Sequence, residues 1–281
     1  MTRKLVVTGA TGYLGRAFVT EAVRQGFDVL ALTRSKANDL PCKFMIPSDW
    51  DNEILLSKAL EGRDALVHLA GLAHGKPGDM TEVNVELTET LAQAARLARL
   101  PHVVFVSSAA VFGEAGTFTV QDAPLPTTLY GETKAIAEQV LCDAFSDGVT
   151  KLTIVRPPIV IGSNAPGHAE TLRRFFDKQW PLPFAGLKAQ RSFIELDHLV
   201  QSLLSLVQDT PARSTLHHLS EDPVSASQLI RKIAAVDQRQ AKLLPVPSFV
   251  LKAMTIIPSL RRKLSPLLTD HVLVAGQIDL D

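Results

Sequence analysis

The chain has 281 residues, 46% hydrophobic and 21% charged. That is enough for two domains of ~150 residues, or one large α/β domain with an appendage, and enough to bury a core without disulfide or metal staples. Twenty-nine basic and 29 acidic residues give zero net charge, which argues against a nucleic-acid or membrane partner held by a global field. The composition excludes disordered, collagen-like and disulfide-scaffold classes.

The N-terminus, Met1-Thr2-Arg3-Lys4, runs straight into a strand pattern, which predicts no signal peptide. A β-rich run, Lys4–Thr8, ends at Gly9, and helical spacing over Tyr13–Gln25 closes at Gly26. Asp28–Thr33 reads as a strand and Asp51–Leu60 as a helix ended by Gly62. Ala65–Ala70 and His102–Val106 read as buried strands on either side of a long amphipathic helix, Thr81–Leu100, which Pro101 stops. Leu129–Phe145 is helical, and the strand Lys151–Arg156 stops at Pro157-Pro158. This alternation predicts an α/β fold, a doubly wound parallel sheet with helices on both faces.

After Arg156 the chain becomes rich in proline and glycine, with helical pieces at Glu170–Lys178, Glu195–Gln208, Ser225–Ala235 and Pro247–Ile257. Residues 1–156 are therefore expected to form one domain. Residues 157–281 are expected to form mainly a smaller cap, with 195–210 returning to the first domain. Pro247–Leu260, followed by Arg261-Arg262-Lys263, reads as a cap helix with a solvated basic end in preference to a membrane-surface helix. No run reaches the ~18 apolar residues of a membrane span. Cys42 and Cys142, far apart and outside any CxxC, read as reduced thiols of a cytoplasmic protein.

Gly9-Ala10-Thr11-Gly12-Tyr13-Leu14-Gly15 places glycines at i, i+3 and i+6, directly after a strand and at the opening of a helix. That context fits a dinucleotide-binding turn. Gly9 permits the tight turn, Gly12 a close backbone approach to pyrophosphate, and Gly15 close helix packing; the helix N-terminus adds amide donors. At the end of the second strand, where NAD-binding chains carry an acidic residue for the ribose hydroxyl, this chain has Thr33-Arg34-Ser35-Lys36. Arg34, with help from Arg3 and Lys36, could pair with a 2′-phosphate, which favours NADP over NAD; alternatively Arg34 is a surface residue indifferent to that phosphate.

Tyr130-Gly131-Glu132-Thr133-Lys134 sets Tyr130 and Lys134 four apart on one helix face. A nearby ammonium would lower the phenol's proton affinity from its ordinary ~10, so that it can exchange a proton with a carbonyl or hydroxyl oxygen. Ser107-Ser108 follow a strand at its carboxyl end, where ligands bind in parallel sheets and a hydroxyl can hold a substrate oxygen.

With these pieces in order, the chain resembles the extended short-chain dehydrogenase/reductases, the NAD-dependent epimerase/dehydratase family acting on nucleotide sugars. The likeness runs from Gly9 to about Pro245. It also takes in Asp49-Trp50, His68-Leu69-Ala70-Gly71, Asn84, Ser107 through Gly113, Tyr130 and Lys134, Arg156-Pro157-Pro158, and Arg191-Ser192-Phe193-Ile194 before Asp197. The resemblance implies a Rossmann domain with a C-terminal substrate cap, and Ser108, Tyr130 and Lys134 as catalytic residues. It places Asp49 and Trp50 at adenine, and Leu69, Ala70, Gly71, Asn84, Ser107 and Pro157 along the cofactor, together with the turn residues Gly9, Thr11, Gly12, Tyr13, Leu14 and Gly15. Ala109 and Ala110 stand where related dehydratases carry an Asp-Glu pair, which makes dehydration an unfavoured reading, and Phe112 replaces the usual tyrosine.

The stretches Arg156–Gly162, Trp180–Phe184, Gln190–Ile194 and Ala241–Pro247 are most similar to UDP-N-acetylquinovosamine 4-dehydrogenase/reductase and to the UDP-glucose 4-epimerase-like proteins near it. By that likeness Arg191 would hold a UDP pyrophosphate through charge-assisted bonds, and Pro183 and Phe184 would pass near uracil. Asn164, Arg173 and His74 are further candidates for the substrate. The family usually closes with a further segment past the position of Asp281, so the resemblance implies either a truncated sequence or a naturally short protein. Relatives often dimerise through helices equivalent to Thr81–Leu100 and Leu129–Phe145, so a homodimer is one assembly the resemblance allows, and it places the activity in polysaccharide precursor synthesis.

Eight scattered histidines form no zinc motif, so no metal is expected, and neither GxSxG nor GxxxxGK[ST] occurs. The leading expectation is hydride transfer between NAD(P) and C4 of a UDP-hexose, first as reduction of a 4-keto sugar and second as 4-epimerisation. A non-catalytic NAD(P)-sensing protein is the reading from another class.

Overall fold

The computed structural model describes residues 2–247, 250–251, 264 and 267–280. In chain order the first elements are β1 (Lys4–Thr8), α1 (Tyr13–Arg24), β2 (Asp28–Leu32), β3 (Lys43–Met45), α2 (Glu53–Leu60) and β4 (Ala65–His68). Next comes α3 (Pro77–Thr81), which runs through a π-helical turn, Glu82–Glu86, into α4 (Leu87–Leu97). β5 (His102–Val106) leads to a 3₁₀ turn, Ala109–Val111, and to β6 (Gly116–Phe118), α5 (Leu129–Ala144), β7 (Lys151–Arg156) and β8 (Ile159–Ile161). The late elements are α6 (His168–Asp177), β9 (Gln190–Arg191), β10 (Phe193–Glu195), α7 (Leu196–Gln208), β11 (Thr215–His218), β12 (Val224–Ser225), α8 (Ala226–Val236), β13 (His271–Leu273) and β14 (Gly276–Asp279).

Eight strands form one sheet in the order β14-β11-β7-β5-β4-β1-β2-β3, parallel throughout except for β14, which runs antiparallel to β11. Its central strands are apolar at successive positions because both faces are covered. Leu5, Val7 and Val67 meet Phe18, Val19, Leu199 and Leu203 of α1 and α7 on one face. Val6 and Leu66 meet Leu56, Leu91, Ala137 and Leu141 of α2, α4 and α5 on the other. The chain leaves β1 for β2 on one side and returns to β4 on the other, which opens a crevice at the carboxyl ends of β1 and β4. Smaller sheets, β10-β8 and β12-β9-β13-β6, stand beside the large one, and a third core joins Ile161, Phe176, Phe193, Leu229 and Ile233.

Some expectations shift. The long helix begins earlier, at Pro77, and stops at Leu97 because Arg99 takes a left-handed φ of 49°. The return to the large sheet is wider than 195–210, since β11 and β14 also join its edge. Such pairings are set by contacts far along the chain. The helix expected over Pro247–Ile257 and its basic end lie mostly outside the described residues; Val250 and Leu251 are helical. Among the described residues no helix is long and apolar enough to cross a membrane.

Candidate active site

The glycine turn is built by close backbone approach. Gly9 has φ of 70°, and a Cβ there would fall 2.5 Å from the Ala70 nitrogen and 2.6 Å from the Leu69 carbonyl carbon. The turn therefore presses on the segment after β4, where Leu69 N donates to the Thr8 carbonyl at 3.2 Å. A Cβ on Gly15 would stand 2.0 Å from the Gly9 oxygen, so only glycine lets α1 pack this low. Gly12 caps α1 with no side-chain partner, and no acidic residue occupies the first turn. The uncapped amides, Tyr13 and Leu14 among them, and the helix dipole suit an anion.

On the other wall, Ser107 N donates to the Val155 carbonyl at 2.8 Å, while its Oγ is buried and has no protein partner. Ala109 N donates to the Pro157 carbonyl at 2.8 Å, fixing Pro157 beside the Ser108 turn. Ser108 caps that turn through a bond from Ala110 N at 3.1 Å. Thr128 caps α5, and a Cβ on Gly131 would lie 2.0 Å from the Ala110 oxygen. The first turn of α5 thus rests on the Ser108 turn, which brings the Ser108 side chain beside the Tyr130 phenol. Burial raises the proton affinity of that phenol and Ser108 opposes it. The expected depression is not met in this conformation, because desolvation outweighs the stabilising contacts.

Lys134, one turn on, is buried and donates to the Val106 carbonyl at 3.0 Å, with its Nζ 4.5 Å above the Phe105 ring. Burial pushes its pKa down to about 8. A Cβ on Gly71 would be 3.1 Å from that Nζ, so Lys134 bridges the segment after β4 and the end of β5. Ser107, Ser108, Tyr130, Lys134, Leu69, Ala70, Gly71 and the Gly9–Gly15 turn are therefore gathered around one crevice.

Other expected residues are placed differently. Asn84 is buried in the π-helical turn, with both amide hydrogens committed, to the Leu72 carbonyl at 3.0 Å and to Thr133 Oγ1 at 2.9 Å, while its oxygen accepts from Leu72 N. It holds the Gly71 segment in place instead of presenting a free group. Arg34 and Lys36 are exposed after β2. Arg3 precedes β1 and donates to Thr210, at the opposite end of parallel strands, so it cannot assist Arg34. Asp49 is exposed and accepts from Asp51 N, and Trp50 is half-buried against the core containing Leu32 and Leu56.

In the cap, Arg173 pairs with Asp237 at 3.4 Å and donates to the Ala165 carbonyl, so its charge is already answered. Asn164 is exposed, with φ of 60°. The Tyr13 ring enters the cap core, and its hydroxyl would sit 2.3 Å from a Cβ on Gly162. Only the backbone of Tyr13 therefore belongs to the glycine turn. His74 is exposed, and its Nε2 lies 3.8 Å from where a Gly167 Cβ would stand. Phe184 is half-buried between two cap clusters beside Pro183. Arg191, half-buried on β9, donates to the Thr269 carbonyl at 3.4 Å.

Sequence reasoning missed Gly131, and it missed Glu138 and Arg156 as a pair. The Lys134-to-Glu138 spacing of four was a readable signal; the Arg156 partner was not. Among the described residues Glu195, His198 and Glu221 bring three potential metal-ligand atoms within 4.8 Å of one another, but Glu221 already serves Glu195 N and His198 Nδ1, each at 2.9 Å.

The residues present fit a dinucleotide: a cradle that a Cβ would fill, an uncapped helix N-terminus, and an orphaned buried Ser107 hydroxyl facing the same crevice wall. The comparisons agree. A family described as "NAD dependent epimerase/dehydratase family" matches residues 5–216. UDP-glucose 4-epimerase of Vibrio cholerae is 27% identical over 90% of this chain and 81% of that protein. dTDP-6-deoxy-L-talose 4-dehydrogenase (NAD(P)(+)) of Kitasatospora kifunensis is 27% identical over 83% and 82%. Further curated relatives are matched over about half their own length. Among solved structures, UDP-N-acetylglucosamine 4-epimerase from Bacillus cereus superposes with a TM-score of 0.76 at 23% identity, covering 87% of this chain and 88% of that one.

Proposed function

The chain belongs to the NAD-dependent epimerase/dehydratase family, and from that premise we propose that it transfers a hydride between NAD(P) and C4 of a UDP-linked hexose, with net reduction of a 4-keto sugar as its reaction. The observation that carries this reading is the convergence of Ser108, Tyr130 and Lys134 on the crevice beside the glycine turn. Gly9, Gly12, Gly15, Gly71, Ser107 and Lys134 would hold the cofactor, which supplies or takes up the hydride at the sugar carbon. Tyr130, kept protonated by burial, gives its proton to the carbonyl oxygen as that oxygen becomes a hydroxyl. Ser108 hydrogen-bonds the same oxygen, and Lys134 holds a positive charge beneath both. Arg191 and the Pro183-Phe184 segment would receive the nucleotide.

A second reading, 4-epimerisation with retained cofactor, is favoured by the near full-length likeness to a UDP-glucose 4-epimerase. The exposed Arg34, with no carboxylate beside it at the end of β2, favours NADPH and hence the exchanging reductase.

The test is nicotinamide absorbance with NADPH or NADH and a panel of UDP-4-keto-hexoses. The expected result is one reduced cofactor lost per sugar. Interconversion of UDP-hexose C4 epimers without cofactor loss would replace the first reading with the second.

A further inference from the structure

Behind the crevice lies a buried ion pair that the proposed chemistry does not use. Glu138 stands four residues after Lys134 and eight after Tyr130, on one face of α5. Its carboxylate accepts from Arg156 Nε at 2.9 and 3.2 Å and from Nη2 at 2.5 Å, and the two side chains are 7% and 4% exposed. Arg156 closes β7, lies 5.1 Å from the Phe112 ring centre and keeps one nitrogen, Nη1, buried without a protein partner. Desolvating such a pair offsets most of its attraction, so stability alone does not account for it.

We infer that Glu138, locked by Arg156, is a positioning residue that keeps the buried Lys134 ammonium charged; the inference rests on Lys134 being the group that meets the cofactor and Tyr130. The groups around Lys134 leave this task to Glu138. On α5, Tyr130 is a neutral phenol held protonated by burial. On β4, His68 is pushed down to about 3 by burial, with Lys134 adding to the shift, and it bonds Thr8 and Thr88 as a neutral ring. β5 presents the Phe105 ring and the Val106 carbonyl, and the π-helical turn presents the uncharged Asn84.

Burial lowers the proton affinity of Lys134, and Glu138 is the charge that opposes it. Arg156 in turn fixes the Glu138 carboxylate in place through its Nε and Nη2. The charge relation thus runs from β7 through Glu138 to the crevice, across two turns of α5.

The test needs no sugar. Binding of NADH and NADPH to the full chain is followed by fluorescence from pH 6 to 9.5. Lys134 has a depressed pKa, so its charge is present at low pH and is lost as pH rises through about 8. Cofactor affinity should fall through that window and stay flat in Lys134→Met. Glu138→Gln should move the fall down by about one unit or more, and Glu138→Asp, which keeps the charge, should leave it near its wild-type position. Should E138Q lose native circular dichroism, E138Q/R156M strands no ion, still lacks the carboxylate and should show the same downward shift. A flat K134M profile with an unmoved fall in E138Q or the double variant overturns the inference alone. A fall that persists in K134M overturns the reading of Lys134 as well.

Discussion

Among the described residues, two ion pairs largely withdrawn from solvent are of similar make and different consequence. Glu138–Arg156 lies against the large sheet, and Arg173–Asp237 lies in the cap, with exposures of 12% and 8%. The first pair backs the helix face that bears Tyr130 and Lys134. The second ties α6 to Asp237, the residue that ends α8, and Arg239 comes within 3.8 Å of the same carboxylate. A charge buried near a site acts on that site only when the neighbour it faces can titrate or bind. Lys134 can; the cap pair faces the carbonyl of Ala165 and the protonated Tyr13, whose phenol burial pushes up to about 12.

The largest expected effect lies on the α5 side. Tyr130→Phe removes the proton donor and keeps the ring, so turnover should fall by roughly 10²–10⁴-fold while cofactor affinity holds within error. Stopped-assay turnover and equilibrium binding on the same preparation decide it; undiminished turnover would take Tyr130 out of the mechanism.

Asp237→Ala sharpens the contrast. It leaves Arg173 and Arg239 without a shared carboxylate in a partly buried setting, at a cost of roughly 3 kcal/mol, the low end for breaking such pairs. Denaturant unfolding should show that loss, and the pH dependence of cofactor binding should match wild type. A displaced pH profile in this variant would mean that the two pairs act on the crevice alike, and the distinction would fail.

What was legible beforehand follows from the range of the interactions. The β1–turn–α1 unit is short-range: strand, three spaced glycines and amphipathic helix occupy residues 4–24, so sequence pattern and structure agree there. Tyr130 and Lys134 were readable because a helix converts spacing into a shared face. Gly131 was missed because its reason, the Ala110 carbonyl 2.0 Å from any Cβ, comes from a turn about 20 residues earlier in the chain. Arg156 was read as a strand end before two prolines; its partner Glu138 sits on another element. Arg173 stands among the substrate candidates in the sequence because the distant Asp237 cannot be paired with it by pattern. The small strands β9, β12 and β13 are two or three residues long, too brief for any period-two signal.

Arg34 provides the smallest and most exacting test of the contrast. It is exposed at the end of β2 and is not buried in the crevice as Lys134 is. Solvent and salt therefore screen whatever it does, and its whole effect must come from a charged ligand group placed beside it. Arg34→Glu should weaken NADPH by about fivefold to tenfold and leave NADH nearly unchanged, with the difference shrinking as salt is raised. Equal response of both cofactors would assign Arg34 to the surface, and with it would go the argument that tilts this chain from epimerase to reductase. The crevice itself would stand, because none of its contacts passes through Arg34.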